Sequence, residues 1–269
     1  MMASGIQLVI FDWAGTTIDF GSLAPVRAFV ELFRREDVAV TTAQARVPMG
    51  MHKKDHIREM LRISDVAARW QAAKGSPWTE ADVDRLYHAV APIQLDTIRQ
   101  SAELVPGLLP VIENLRQSGL KIGGTTGYFV AAAQLVLEQA KTQGFIPDCS
   151  VNGDEVPKGR PAPWMVYRVM QQLNVYPPSA VLKVGDTLLD IEEGLNAGVW
   201  SVGVCDSSSE CGYSLDEWQQ LTGSQRDAAI AHAREKFLAA KAHAVIDSIH
   251  ELPALVKSIN ERIARGEKP

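Results

Sequence analysis

The sequence predicts an α/β fold, a parallel sheet flanked by helices with an all-helical segment inserted into it. Three observations carry that expectation. Ile6 to Phe11 form a nearly uninterrupted apolar run, the pattern of a parallel strand buried on both faces. From about Gly21 to Ser101 the apolar spacing turns helical, with few strand-like stretches. After Val105, Pro106 and Gly107, which read as a linker, strand and helix patterns alternate, as they do when helices wrap a parallel sheet.

The elements follow in order. The first strand should be central. Helical spacing in the insert runs through APVRAFVELFRR, DHIREMLRI and EADVDRLYHAVAPIQLDTIRQ. Beyond the linker come helix LLPVIENLRQSG, strand LKIGGTT, helices FVAAAQLVLEQAKTQG and PWMVYRVMQQLN, strand AVLKVGD, helix LLDIEEGLNAG and strand WSVGVC. AAIAHAREKFLAAKA reads as helix, HAVID as a last strand, and SIHELPALVKSINERIA as a closing helix whose polar end frays. Gly119, Gly144 and Gly198 stand where helices end and a left-handed cap residue is needed. There is no internal repeat and no low-complexity stretch.

A chain of 269 residues allows one large domain or a core with a smaller insert. Hydrophobic residues at 46% and charged residues at 22% are ordinary for a globular protein, and a net charge of -5 offers no broad basic face for nucleic acid. An anionic ligand must therefore be held locally. Cys149, Cys205 and Cys211 form no C-x-x-C pair, and their odd number argues against a disulfide framework, so the chain reads as reduced and cytoplasmic. No apolar run approaches the roughly 18 residues of a membrane span, and the N-terminus lacks signal-peptide character.

In an open parallel sheet, ligands bind beyond the carboxyl ends of the strands. Four polar residues fall at such points: Asp12 after VIF, Thr126 after KIGGT, Arg160 in the turn before PAPWMVY, and Asp186 after LKVG. Buried carboxylates are costly unless they meet a cation, so Asp12 and Asp186 at neighbouring strand ends suggest a metal, and oxygen ligands point to magnesium. Asp190, one helical turn beyond Asp186, is either a ligand or an acceptor behind the ligands, with a purely structural N-terminal role equally open. Thr126 also suits a turn hydroxyl. Arg160 competes with Lys158 for any anion.

Together, FDWAGTTID, TTGY, GRPAP and VGDTLLD resemble the four motifs of the haloacid dehalogenase superfamily, in order and spread over the whole chain. The resemblance implies a Rossmann-like core at 1–20 and 104–269, an inserted all-helical cap at 21–103, an aspartyl nucleophile and magnesium. In most phosphatases of that superfamily the first motif is D-x-D, and its second acid protonates a leaving oxygen. Here the motif is Asp12, Trp13, Ala14, and alanine carries no proton. That speaks against the alternative of a phosphoester phosphatase or phosphomutase.

PMGMHKKDH, together with FDWAGTT, GTTGY and GRPAPW, resembles the branch of the superfamily that cleaves carbon–phosphorus bonds. That chemistry has no leaving oxygen to protonate. It leaves a carbanion, which a lysine drains when it has condensed with a neighbouring aldehyde. The resemblance implies Lys53 as that lysine and Asp12 as the nucleophile on phosphorus. Magnesium is then held by Asp12, the Ala14 carbonyl and Asp186, and the anion by Arg160, the Thr126 hydroxyl and the Gly127 amide. Met49, Gly50 and Tyr128 shape the pocket on this reading. Where the family often has cysteine, Ser22 stands, so no thiol is essential there.

Imine formation needs the neutral amine. Bringing lysine from about 10.4 to near 7.5 takes roughly 4 kcal/mol, supplied by burial and nearby positive charge, for which Lys54, His56 and the metal are candidates. His56, three residues after Lys53, is expected on the same helical side as a proton shuttle, while Lys54 points to solvent. Without the motifs, this stretch would read as an exposed basic helix start. A homodimer is also implied, with Phe29 and Phe33 either at its interface or inside the cap. The partner is a small phosphonate rather than a membrane or nucleic acid.

Overall fold

The computed structural model describes residues 5–269. Six strands, β1 (Leu8–Asp12), β2 (Lys121–Thr126), β3 (Cys149–Asn152), β4 (Val181–Gly185), β5 (Trp200–Val204) and β6 (Ala244–Ile246), form one parallel sheet. Their order is β3-β2-β1-β4-β5-β6. The apolar LVIFD of β1 is buried throughout because the strand has neighbours on both edges and helices on both faces.

Alternation along β1 divides the core. Val9 and Phe11 pack with α6 (Leu108–Gln117), α7 (Val130–Thr142) and α12 (Leu252–Ala264), whereas Leu8 and Ile10 pack with α8 (Trp164–Gln172). A further cluster joins α9 (Leu188–Ala197) to α11 (Gly223–Ala239). Gly198 closes α9 in the left-handed region at φ 69. The expected central strand and alternating elements are thus present. No helix among the described residues is long and apolar enough to cross a membrane.

Between β1 and α6 lie only helices: α1 (Leu23–Arg35), α2 (Thr42–Arg46), α3 (Lys53–Arg62), α4 (Ser64–Lys74) and α5 (Glu80–Ser101). They share a separate core running from Val26 to Ile93. Phe29 and Phe33 are fully buried in it, so they are interior residues and offer no apolar surface to a second copy. Ala24 and Ile98, near the ends of the segment, belong instead to the sheet-side core.

The two connections run side by side: Ile18 bridges Leu104, Asp19 N–H donates to Glu103 at 2.9 Å, and Val105 N–H donates to Thr17 at 2.9 Å. Asp19 then caps α1 through the amides of Leu23 and Ala24, at 3.0 and 2.9 Å.

Four elements lack a strong sequence signal. β3 is a short edge strand, CSVN, with one strongly apolar residue. α2, α4 and α10 (Leu215–Gln220) are short or weakly amphipathic, and the first and last are set by capping boxes at Thr41 and Ser214.

Candidate active site

Crossovers leave β1 in opposite directions toward β2 and β4, and this switch point brings Asp12 and Asp186 together. Past Asp12 the chain coils so that the amides of Thr16, Thr17 and Ile18 all donate to the Trp13 carbonyl, at 3.1, 2.8 and 3.1 Å. One cavity beyond the strand ends is lined by Asp12, Ala14, Thr126, Gly127, Tyr128, Arg160 and Asp186 from the sheet side. Pro25, Met49, Gly50 and Lys53 line it from the helical segment, and Ser22 from the connection. It holds about 20 Å³ of free space, little more than one water needs.

Arg160 lies at the centre of the charges and is nearly inaccessible. Its Nη2 donates to Asp12 Oδ1 at 2.5 Å and to the Thr125 carbonyl and hydroxyl at 3.0 and 2.9 Å. Its Nε donates to Glu193 at 2.9 Å, and Nη1 lies 3.1 Å from Asp190. Burial alone would lower its pKa, but Asp12, Asp190 and Glu193 drive it well above the ordinary arginine value. The fork expected to face an anion thus grips the first aspartate and two acids behind it.

Lys183 and Glu193 were not foreseen as part of the site. The signal was there for Lys183, a charge inside the otherwise apolar strand VLKVG. Its amine sits 2.7 Å from Asp190 and 3.7 Å from Glu193. Asp190 also accepts from the Thr187 hydroxyl at 2.6 Å. Burial would raise the Asp190 pKa, but Arg160 and Lys183 overcome it and hold the carboxyl low. Its oxygens are committed to protein donors.

Asp186 is different: burial, then the nearby Asp12 and Asp190, push it well above the carboxylate range, against one amide bond from Ser209 at 2.9 Å. Carboxylate oxygens of Asp12, Asp186 and Asp190 lie within 4.8 Å of one another. When ionised, four acids (Asp12, Asp186, Asp190, Glu193) outnumber the cations around them, Arg160, Lys183 and the protonated form of Lys53, so negative charge is left to balance. Such a donor set fits a divalent cation on Asp12 and Asp186.

On the helical side, Lys53 opens α3 and is buried. Its amine lies 4.9 Å from the Tyr128 ring centroid and 5.7 Å from that of Phe29. Burial lowers its pKa from 10.5 to about 8, opposed by Asp12 and assisted by Arg160. The assisting positive charge is therefore Arg160 and not Lys54, whose amine pairs with Asp84 at the surface.

His56 lies on the same side of the helix but does not line the cavity. It is fully buried, stacks on Phe29 at 3.8 Å, and its Nε2 donates to the Ala45 carbonyl at 2.9 Å. A carbonyl only accepts, so Nε2 carries the proton and the unpartnered Nδ1 keeps its lone pair. Burial, then Lys53, pulls its pKa well below 6.5, so the ring is neutral and supplies no charge. Tyr128 is buried with its hydroxyl unpartnered, and burial raises its pKa well above 10.

The helical segment seats on glycine. A Cβ on Gly127 would stand 2.6 Å from the Met51 carbonyl, and one on Gly50, at φ +95, would stand 2.6 Å from the Thr187 hydroxyl. Beside this contact His52 Nε2 reaches Asp154 across the gap at 2.8 Å.

A family model described as haloacid dehalogenase-like hydrolase matches residues 6–198. A phosphonoacetaldehyde hydrolase from Hahella chejuensis is 42% identical over 98% of this chain and 90% of that protein. A crystal structure of a phosphonoacetaldehyde hydrolase-like protein from Oleispira antarctica superposes with a TM-score of 0.98 at 44% identity, covering 100% of this chain and 98% of the other. A bifunctional phosphonoacetaldehyde hydrolase/aminoethylphosphonate transaminase from Clostridioides difficile is 42% identical over 96% of this chain, which spans 41% of that longer protein. The chain belongs to the haloacid dehalogenase-like hydrolases and, within them, to the phosphonoacetaldehyde hydrolase family. It is an enzyme, a hydrolase.

Proposed function

We propose that the chain hydrolyses phosphonoacetaldehyde to acetaldehyde and phosphate through a Lys53 imine and an Asp12 aspartyl-phosphate. One observation carries this: a buried lysine, brought by burial to about 8, shares a cavity with Asp12 and with an alanine where a phosphatase needs its acid. The names of the relatives support the substrate, and the bifunctional relative supports a place in aminoethylphosphonate degradation.

The neutral Lys53 amine adds to the aldehyde carbon, and loss of water gives a protonated imine. His56, stacked on Phe29 behind Lys53 and outside the cavity wall, is the proposed relay for the carbinolamine protons, with its unpartnered Nδ1 as acceptor. An Asp12 oxygen attacks phosphorus as the carbon–phosphorus bond breaks, and the bonding pair passes to the imine nitrogen as an enamine. Protonation at carbon and hydrolysis by one water release acetaldehyde and Lys53. A second water cleaves the aspartyl-phosphate, releasing phosphate and restoring Asp12.

Asp12, Asp186 and the Ala14 carbonyl would hold the proposed cation, magnesium, whose positive charge would let a carboxylate approach a phosphonate. Thr126 and the Gly127 amide donate to the anion, with Arg160 adding positive charge beside Asp12. Met49, Gly50 and Tyr128 wall the pocket. Residues 21–103 act as the cap over a core of 1–20 and 104–269. Family resemblance supports a homodimer, which sedimentation tests, and the three unpaired cysteines support a cytoplasmic setting.

Borohydride added with phosphonoacetaldehyde should fix a two-carbon adduct on the peptide containing Lys53, read by mass spectrometry; its absence overturns the imine. Phosphate release from phosphonoacetaldehyde should stop with a chelator and exceed release from simple phosphoesters. The kcat/KM should rise with pH to a limb at about 8, because only the neutral amine adds to the aldehyde.

A further inference from the structure

Arg46 ends α2 in the helical segment, yet its side chain crosses to the sheet side. Its Nη1 donates to the Gly21 carbonyl at 2.8 Å, in the connection, and to the Ser209 hydroxyl and carbonyl at 3.1 and 3.3 Å. Its Nη2 donates to the Gly212 carbonyl at 3.2 Å. Four oxygens from two segments therefore converge on one planar group, a spread that a single lysine amine does not match.

The gripped loop follows β5 and closes on itself: Ser208 Oγ donates to the Cys205 carbonyl at 2.6 Å, and Gly212 N–H to the Ser208 carbonyl at 2.9 Å. It is tied to the first strand's turn by Ser207 Oγ donating to the Gly15 carbonyl at 2.7 Å, and to the connection by Gly21 N–H donating to the Ser207 carbonyl at 2.8 Å. Ser209 is the junction. Its hydroxyl and carbonyl face Arg46, while its amide donates to Asp186 Oδ2.

We propose that Arg46 is a positioning residue: with the helical segment seated, it holds the loop after β5 so that the Ser209 amide stays on Asp186, linking the seated state to the geometry of the cation-binding carboxylate. This rests on reading Asp186 as a cation ligand and the helical segment as a moving cap. Opening the cap withdraws the guanidinium and slackens the carboxylate, so cation binding and closure favour each other by linkage.

The test reads the loop and the ion without turnover. In Arg46→Ala, hydrogen exchange at residues 207–212 should rise about tenfold, and magnesium binding measured by calorimetry should weaken about tenfold. Arg46→Lys should fall between Arg46→Ala and the unmodified protein, and added methylguanidinium should restore part of the protection in Arg46→Ala. Arg85→Ala, which removes a surface pair with Glu36, should change neither measurement.

Unchanged exchange at 207–212 together with unchanged magnesium affinity in Arg46→Ala would overturn the proposal. If that variant does not fold, Arg46→Lys decides: protection and affinity equal to the unmodified protein overturn it. Failure of the phosphonate reaction is a separate result, seen as absent turnover while the exchange and magnesium effects persist.

Discussion

Two lysines are buried among the described residues, and their surroundings differ. Lys183, in the sheet, is bracketed by Asp190 and Glu193 at 2.7 and 3.7 Å. Lys53, in the helical segment, is flanked by the rings of Tyr128 and Phe29, and burial brings it from 10.5 to about 8. The amine of Lys183 is held between carboxylates in ion pairs, and the apolar walls around Lys53 favour the free amine. A buried lysine is thus locked into an ion-pair scaffold or left against apolar walls according to what faces it.

Breaking the comparison at its reactive end has the largest expected effect. Lys53→Arg keeps a cation but has no amine able to form an imine, and phosphate release should fall by ~10³-fold or more, about 4 kcal/mol or more in the barrier. Retained turnover would end the contrast. At the scaffold end, Lys183→Met leaves Asp190 and Glu193 short of a cation, and denaturant unfolding should show a loss of about 3–5 kcal/mol.

Lys53→Met should act in the opposite sense. The folded state holds this amine at about 8 and the unfolded chain at its ordinary 10.5, so between these values the unfolded chain binds more protons. Stability of the unmodified protein should therefore rise as pH climbs from about 8 to 10.5, and Lys53→Met should lack that rise. Below the window the variant should be the more stable by up to about 3 kcal/mol. A variant less stable than the original at neutral pH would contradict the burial cost.

The smallest effect sharpens the scaffold side. Glu193→Gln keeps an oxygen for the Arg160 Nε but removes one charge, and a loss of about 1 kcal/mol is expected by the same unfolding measurement. A loss as large as that of Lys183→Met would mean that the charge of Glu193, shared between Arg160 and Lys183, is as important to the scaffold as the sheet lysine.

Much of this could be read along the chain. Asp12, Thr126, Arg160 and Asp186 stand at the ends of recognisable strand or turn patterns, and the fold gathers all four around one cavity. His56 shows where such reading stops: helical spacing correctly sets it on the side of Lys53, but whether its ring enters a cavity or stacks on Phe29 depends on α1, far away in sequence. Arg160 shows the same limit, since the position of its fork depends on Glu193 and Asp190 from α9.

Local order, the parallel sheet, the helical insert and the chemical types at the strand ends were fixed by the amino-acid sequence itself, because periodicity and turn chemistry act over a few residues. The partners of each buried charge, the depressed pKa of Lys53, the grip of Arg46 on the loop after β5 and the seating of the insert on Gly127 came only with tertiary structure. Desolvation and ion pairing depend on which distant segments exclude water together, and no local pattern encodes that.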